Sequence, residues 1–188
     1  MKRLILKFGG TSVGTIEKIK KVANIIKKRF SEGNEIIVVV SAMSGVTDEL
    51  KAKSVSISKN FDNKELDVLL SSGEQVSCSL LSGALIDLGV KARSWLGWQI
   101  PIVTNDNYTS SQIMKIKTDE ISNFISKKGV AVIAGFQGIT KESRITTLGR
   151  GGSDLSAVAI AKFFKTDSCE IYTDVDGVLT TDPSINKN

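Results

Sequence analysis

The chain has 188 residues, of which 41% are hydrophobic and 24% charged, and this is enough for one globular domain with a sizeable core. The net charge is +5, but the lysines are scattered among acids and aromatic residues do not interleave with them, which argues against nucleic-acid binding. No apolar run is long enough to span a membrane, and the cysteines Cys78 and Cys169 are far apart. We therefore expect a cytoplasmic protein without a disulfide framework or metal-ligating cluster. Histidine is absent, so any chemistry must proceed without the most common general base.

The first part of the chain alternates between strand and helix. Residues 4–8 form a short apolar strand that ends at Gly9-Gly10, and residues 15–30 carry apolar side chains at helical spacing. Residues 36–40 are a continuous β-branched run, as in a strand buried on both faces. The small-residue loop 41–48 follows, and we predict a helix from Thr47 or Asp48 to about residue 59.

The rest of the chain continues the alternation. Residues 63–88 are predicted to be mainly helical, with Gly89 as the C-terminal cap. Further strands are predicted at 90–96, 100–103, 130–134 and 169–172, and helices at 113–126 and 154–165. Residues 105–111 are polar and turn-rich, and 135–138 end the preceding apolar strand. We find no internal repeat or linker, so residues 1–188 are predicted to belong to one domain.

Apolar strands that alternate with helices predict a three-layer αβα sandwich around a mainly parallel sheet. In such sheets ligands bind beyond the carboxyl ends of the strands. The strands that end at residues 8, 40, 134 and 172 are each followed by a small or polar loop. We expect these loops to gather at one edge of the sheet and to form the functional site there.

The glycine-rich segment 146–154, TTLGRGGSD, precedes a predicted helix and is the centre of this expected site. A loop of this kind before a helix N-terminus suits an anion, and Arg150 adds a planar fork for a carboxylate or phosphate. Ser153 or Asp154 could cap the helix. The competing interpretation is a tight strand-to-helix turn without a ligand.

Lys7 stands just before Gly9-Gly10, which is not the spacing of a Walker P-loop. An ammonium beside glycine amides can nevertheless bind phosphate oxygens, and the alternative is a solvated charge at a strand end. Four aspartates near this edge could orient the lysine or hold Mg²⁺, or could cap helices and form turns. They are Asp154, Asp174, Asp176 and Asp182.

Two other features have ordinary explanations from sequence alone. Glu74 follows Ser71-Ser72-Gly73 inside a predicted helix, and a surface glutamate is the usual interpretation. Trp95 and Trp98 are expected to be core or interface residues, and we assign them no chemistry.

Six loop motifs together resemble the aspartate kinases of the amino-acid kinase family. They occur in the family's order and cover essentially the whole chain. They are KFGGTS from residue 7, SGVTD from residue 44, GEQ from residue 73, GFQG from residue 135, TLGRGGSD from residue 147 and YTDVDG from residue 172.

The resemblance implies transfer of the γ-phosphoryl group of Mg-ATP to the β-carboxylate of L-aspartate. Lys7 would contact the transferring phosphate together with the amides of Gly9 and Gly10, and Asp154 would position Lys7. Thr173 and Asp174 would contact the nucleotide.

The same resemblance implies an aspartate site and a product. Thr47, Glu74, Arg150 and Ser153 would hold aspartate, with Arg150 on a carboxylate and Glu74 on the ammonium. The product would be 4-phospho-L-aspartate, the first intermediate toward lysine, threonine and methionine. A carboxylate acceptor is already ionised at neutral pH, which agrees with the missing histidine.

The chain departs from the family pattern in two respects. Leu179 and Ser184 stand where the family usually has an aromatic residue and an arginine. Family members also continue beyond the position of Asn188 into the rest of the kinase domain and then regulatory ACT domains. The resemblance therefore implies an incomplete catalytic domain, inactive by itself and homo-oligomeric in the complete protein. Two alternatives remain, another enzyme of the family and a catalytically silent remnant that binds aspartate or a partner protein.

Overall fold

The computed structural model of the chain describes residues 1–173. Nine strands and five helices lie within this range, and they follow the alternation that the sequence predicts. In chain order they are β1 (Arg3–Phe8), α1 (Ile16–Ser31), β2 (Glu35–Val40), α2 (Val46–Ile57), α3 (Asn63–Asp87), β3 (Ala92–Trp95), β4 (Ile102–Thr104), β5 (Ile113–Ile116), α4 (Asp119–Ser126), β6 (Val130–Ala134), β7 (Gln137–Ile139), β8 (Ile145–Thr147), α5 (Gly152–Phe164) and β9 (Ser168–Tyr172).

Five strands form the central sheet in the order β3-β6-β2-β1-β9, and every pair in it is parallel. Phe8 at the end of β1 lies opposite Val40 at the end of β2 and opposite Tyr172 at the end of β9. Val40 in turn pairs with Ala134. The four strands whose loops were expected to converge therefore end at one edge, as the sequence predicts.

The strands of the central sheet are apolar on both faces because each face is covered by helices. Alternate residues of β1, β2 and β6 contribute to two separate hydrophobic clusters. Helices α1 and α3 complete the first cluster, for example through Ile26 and Leu81. Helices α4 and α5 complete the second, for example through Ile121 and Ile160. The predicted αβα layering is thus confirmed.

A smaller four-stranded sheet, in the order β5-β4-β7-β8, was not expected from the sequence. The predicted helix 113–126 is wrong in its first part, because Ile113–Ile116 pairs antiparallel with β4 and only Asp119–Ser126 is helical. Strands β7 and β8 form an antiparallel hairpin that the sequence analysis missed. Three-residue strands are too short to show a period, so pairing with neighbours decides their conformation.

The N-cap of the long helix α3 is Asp62, whose side chain accepts hydrogen bonds from the amides of Lys64 and Glu65 at 2.9 and 3.1 Å. At its other end Gly89 has a φ of +77°, the left-handed conformation predicted for this cap. No helix within residues 1–173 combines the length and the apolar character needed to cross a membrane.

Candidate active site

A cleft of about 710 Å³ lies at the carboxyl edge of the central sheet. Its walls come from the loops after β1 and β2, the first turns of α2, the first half of α3 and the segment that joins β8 to α5. Seven of the predicted site residues line it, although they come from four separate segments of the chain. They are Lys7, Gly10, Thr47, Glu74, Arg150, Ser153 and Asp154.

Lys7 is the penultimate residue of β1 and is buried, with an exposed fraction of 8%. Its ammonium nitrogen Nζ lies 2.6 Å from Oδ1 of Asp154, the third residue of α5. A solvated strand-end charge is therefore the wrong interpretation of Lys7. The ion pair holds the ammonium beside the Gly9-Gly10 turn.

The predicted capping role of Ser153 or Asp154 is wrong. The N-cap of α5 is Gly151, and no side chain caps this helix. Asp154 is directed to Lys7 instead, because a carboxylate interacts more strongly with a charged ammonium than with a backbone amide. Ser153 is buried against the loop after β6. In the first turn of α5 the amides of Asp154 and Leu155 donate instead to the carbonyl oxygen of Gly151, at 3.0 and 3.1 Å.

The loop after β1 turns tightly beside Lys7. The carbonyl oxygen of Gly9 accepts hydrogen bonds from the amides of Ser12 and Val13 at 3.0 and 3.2 Å. A Cβ atom at Gly10 would lie 2.8 Å from the carbonyl oxygen of Ala42, so only glycine allows the two loops to approach this closely. This packing brings the backbone of the first loop up to the cleft.

Glu74 is buried, with an exposed fraction of 3%, which corrects its interpretation as a surface glutamate. Oε1 accepts a hydrogen bond of 3.0 Å from the amide of Ala42. Oε2 is equally buried and has no hydrogen-bond partner within residues 1–173. Burial raises the pKa of Glu74 to about 7, while hydrogen bonds from the backbone lower it. A buried carboxylate that lines a cleft and has one oxygen without a hydrogen-bond partner suits a cationic ligand.

The other predicted acceptor residues frame the cleft around Glu74. Thr47 is the second residue of α2, whose N-cap is Gly45. Arg150 is exposed in the loop before α5, and within the described part of the chain its guanidinium pairs with no carboxylate. The cleft is therefore lined by a carboxylate with one unpartnered oxygen and by a guanidinium without a carboxylate partner, as far as residues 1–173 show.

Some predicted site residues lie elsewhere. Gly9 does not line the cleft, but a Cβ there would lie 3.5 Å from Nζ of Lys7. Thr173 follows β9 at the same sheet edge but is not part of the cleft wall. The remaining positions lie outside the described residues. They are Asp174, Asp176, Leu179, Asp182 and Ser184.

The structure adds two residues that the sequence analysis missed. Phe136 lines the cleft with a φ of +67°, which is unusual for a residue other than glycine. Asp67 lies one step behind the cleft wall and is completely buried. Its spacing of seven residues from Glu74 within a helix was a usable signal, because residues i and i+7 share a helix face.

The tryptophans lie in different environments, and the described residues contain no cluster of metal ligands. Trp95 is buried in the core, whereas Trp98 is half exposed. Within residues 1–173 no group of three or more aspartate, glutamate, cysteine or histidine side chains could hold a metal ion. A metal ion here would have to take most of its ligands from a bound substrate and from water.

Comparison with known protein families matches residues 2–188 to the amino acid kinase family. The chain is 50% identical over 191 aligned positions to the aspartokinase of Rickettsia prowazekii (strain Madrid E), an alignment that covers 100% of this chain and 43% of that protein. It is 49% identical to the aspartokinase of Geobacillus stearothermophilus, with coverage of 96% and 44%. The chain thus spans less than half the length of these curated relatives.

Solved structures of similar fold also include aspartate kinases. The crystal structure of aspartate kinase from Synechocystis superposes with a TM-score of 0.84 at 46% identity, covering 97% of this chain and 30% of that one. E. coli aspartokinase III in complex with aspartate and ADP gives a TM-score of 0.87 at 23% identity, with coverage of 99% and 52%. At that identity the likeness to the E. coli enzyme shows the fold alone.

Proposed function

Since the chain belongs to the amino acid kinase family, we propose that it forms the acceptor and phosphate-binding part of an aspartate kinase. The reaction transfers the γ-phosphoryl group of ATP to the β-carboxylate of L-aspartate. A bond forms between a carboxylate oxygen and the γ-phosphorus, and the bond from that phosphorus to the oxygen of the leaving ADP breaks. The product, 4-phospho-L-aspartate, is the first intermediate toward lysine, threonine and methionine.

One observation carries the choice of acceptor. Among residues 1–173, Oε2 of Glu74 in the cleft has no hydrogen-bond partner and the guanidinium of Arg150 pairs with no carboxylate. A small zwitterion supplies the opposite charge to each group, with its ammonium at Glu74 and a carboxylate at Arg150. Thr47 and Ser153 add hydroxyl groups to the same space, and the aspartokinase relatives support aspartate as that zwitterion.

In this proposal the phosphoryl group lies against the elements at the sheet edge. Lys7 faces the developing negative charge on the moving phosphoryl group, with the amides of Gly9 and Gly10 beside it. Asp154 holds the Lys7 ammonium at this position through the 2.6 Å ion pair. A general base is unnecessary because the accepting carboxylate is already ionised near neutral pH.

ATP and Mg²⁺ fit the residues that are present. The tight Gly9-Gly10 turn leaves room for phosphate oxygens beside Lys7. Mg²⁺ would neutralise charge on the nucleotide phosphates while taking few ligands from this chain. We extend the proposal to Thr173 and Asp174 as nucleotide contacts, as the resemblance implies.

An acceptor panel tests the proposal directly. The protein at its full natural length is assayed for ADP formation with Mg-ATP and aspartate, glutamate, acetylglutamate or UMP, and acyl phosphate is trapped with hydroxylamine. We expect kcat/KM for aspartate to exceed that for acetylglutamate and UMP by at least about 100-fold, since both lack the ammonium that Glu74 would bind. Glutamate has the same charges as aspartate and one more methylene, so we expect it to be disfavoured by about 10-fold or more.

Two outcomes of this panel contradict the proposal. Preference for another acceptor would assign the cleft to a different reaction of the same family. Binding of aspartate by calorimetry without turnover on any acceptor would make the protein a silent binder rather than an enzyme.

A further inference from the structure

Asp67 lies in the second turn of α3 and is completely buried. Its carboxylate accepts hydrogen bonds from the amide of Thr147 at 2.9 Å and from the hydroxyl of Thr147 at 2.6 Å. The amide of Thr109 lies 3.1 and 3.0 Å from its two oxygens. Burial raises the pKa of Asp67, and these hydrogen bonds lower it. One carboxylate thus joins α3 to two segments that are distant from it in sequence.

Both of these segments support the loop that carries Arg150. Thr147 is the last residue of β8, three positions before Arg150, and its carbonyl oxygen accepts a 2.9 Å hydrogen bond from the amide of Ser111. Gly149 has a φ of +76°, and a Cβ there would lie 3.1 Å from the carbonyl oxygen of Thr109. The loop that carries Arg150 therefore begins at one Asp67-bound residue and rests on the other.

Helix α3 also carries Glu74, seven residues after Asp67 and on the same face of the helix. Seven residues of α-helix span about 10 Å along the axis, so a single rigid element holds both carboxylates. Between them the carbonyl oxygen of Ser71 accepts a 3.0 Å hydrogen bond from the side-chain amide of Gln137 in β7. Thr109 and Thr147 line the cleft, whereas Asp67 does not.

We propose that Asp67 is a positioning residue of the acceptor site, which sets the place of Arg150 relative to Glu74 by clamping Thr147 and Thr109 to α3. It acts on the acceptor only through these neighbours. The inference rests on the proposed function, in which Arg150 and Glu74 bind the two ends of a zwitterion. Such a site requires a fixed separation between its two charges, because a misplaced charge loses much of its contribution to catalysis.

Kinetics of the full-length protein test this role. Asp67→Asn replaces an acceptor oxygen with a donor against two buried amides, so we expect kcat/KM for aspartate to fall roughly 10- to 100-fold. KM for ATP should stay within about twofold, because the Lys7 region does not depend on this clamp. Asp87→Asn, on an exposed position at the end of the same helix, is the matched control and should leave both parameters unchanged.

Two variants at Thr147 separate the clamp from a general loss of stability. Thr147→Val keeps the shape and the backbone amide but removes the hydroxyl that donates to Asp67, and we expect a partial loss of kcat/KM for aspartate. Thr147→Ser restores the hydroxyl and should recover most of that loss. Equal kinetics of the valine and serine variants would overturn the clamp, as would equal effects of Asp67→Asn on the KM of ATP and of aspartate.

The decisive measurement repeats Asp67→Asn in an Arg150→Ala background, with kcat/KM taken at subsaturating aspartate. If Asp67 acts through Arg150, the second substitution should lower kcat/KM by less than about twofold, because the two effects share one interaction. A full multiplicative loss would show that Asp67 acts independently of Arg150, and the inference would be wrong.

Hydrogen exchange of the ligand-free protein gives a readout that does not require turnover. In Asp67→Asn we expect amides of residues 145–151 to exchange at least about fivefold faster, with residues 75–85 of α3 unchanged. Unchanged exchange in 145–151 overturns the clamp. If the clamp is present but the wild-type protein does not phosphorylate aspartate, the proposed function has failed and the role in aspartate binding fails with it.

Discussion

Asp154 places a carboxylate oxygen 2.6 Å from the ammonium nitrogen of Lys7, and this ion pair joins the end of β1 to the first turn of α5. The lysine side chain is nearly buried, whereas the aspartate side chain is about half exposed. The ammonium is therefore held in the cleft by a buried oxygen of a carboxylate whose side chain is otherwise partly exposed. Such an arrangement keeps a positive charge in place before any phosphate arrives.

Lys7→Ala should lower kcat by roughly 1,000-fold or more, because it removes a charge aimed at the phosphoryl group in the transition state. The Kd for Mg-ATP, measured by calorimetry, should weaken much less. Lys28→Ala, on the exposed face of α1, is the matched control. A Lys7→Ala protein that retained most of its kcat would remove Lys7 from the catalytic site.

Arg150→Ala should lower kcat/KM for aspartate by the equivalent of roughly 2–4 kcal/mol, because it removes a charge-assisted pair with a substrate carboxylate. Arg144→Ala provides the control, since Arg144 lies in the β7–β8 hairpin and forms an exposed ion pair with Glu65. Water screens that surface pair, so it should contribute little to stability and nothing to acceptor binding. Unchanged aspartate kinetics in Arg150→Ala would refute the assignment.

Glu74 should make the protein less stable as the pH rises. Its pKa is 4.5 in the reference state and about 7 in the fold, so between these values the folded chain binds a proton that the unfolded chain has released. The contribution is fully present below pH 4.5, declines toward pH 7 and is then constant, with a total of roughly 3 kcal/mol.

Urea denaturation of the wild type and of Glu74→Gln across this pH range measures the effect as a difference. The glutamine variant should lack the decline, and by pH 8 it should have gained stability relative to the wild type. A difference between the two proteins that does not vary with pH would show that Glu74 has an ordinary pKa.

The ionisation of Glu74 should also make kcat/KM for aspartate depend on pH, in the direction opposite to its effect on stability. Only ionised Glu74 attracts an ammonium, so kcat/KM for aspartate should fall about tenfold per pH unit below pH 7. Glu74→Gln should have a lower kcat/KM with little of this pH dependence, and comparison with it removes any contribution from titration of the nucleotide. Persistence of the full slope in Glu74→Gln would assign it to another group.

Gly10→Ala should destabilise the fold by roughly 1–3 kcal/mol, because the added Cβ would lie 2.8 Å from the carbonyl oxygen of Ala42 and the two loops would have to separate. Gly83→Ala is the control in the interior of α3, where a Cβ meets nothing within 4 Å. There we expect a gain of about 0.5–1 kcal/mol. Equal urea midpoints for the two variants would contradict the close packing of the loops.

Local patterns in the sequence were sufficient for the central sheet and for much of the cleft. Short, continuous apolar runs such as residues 36–40 and 130–134 favour strands covered on both faces, and their alternation with helical patterns predicts the layering. Loops after parallel strands must meet at one edge, and this placed Lys7 beside the glycine-rich segment before Asp154.

Only the tertiary structure decided how individual polar groups are used. The Lys7 ammonium draws Asp154 away from the capping role that its position at a helix start suggested. Packing of α3 against the loop after β2 buries Glu74 and raises its pKa, although the helix pattern gave the usual prediction of a surface residue. Pairing with β4 makes Ile113–Ile116 a strand, because a short apolar segment adopts the conformation that its neighbours can hydrogen-bond. Hydrophobic periodicity is a property of one segment, whereas burial, ion pairing and strand pairing depend on partners from distant parts of the chain.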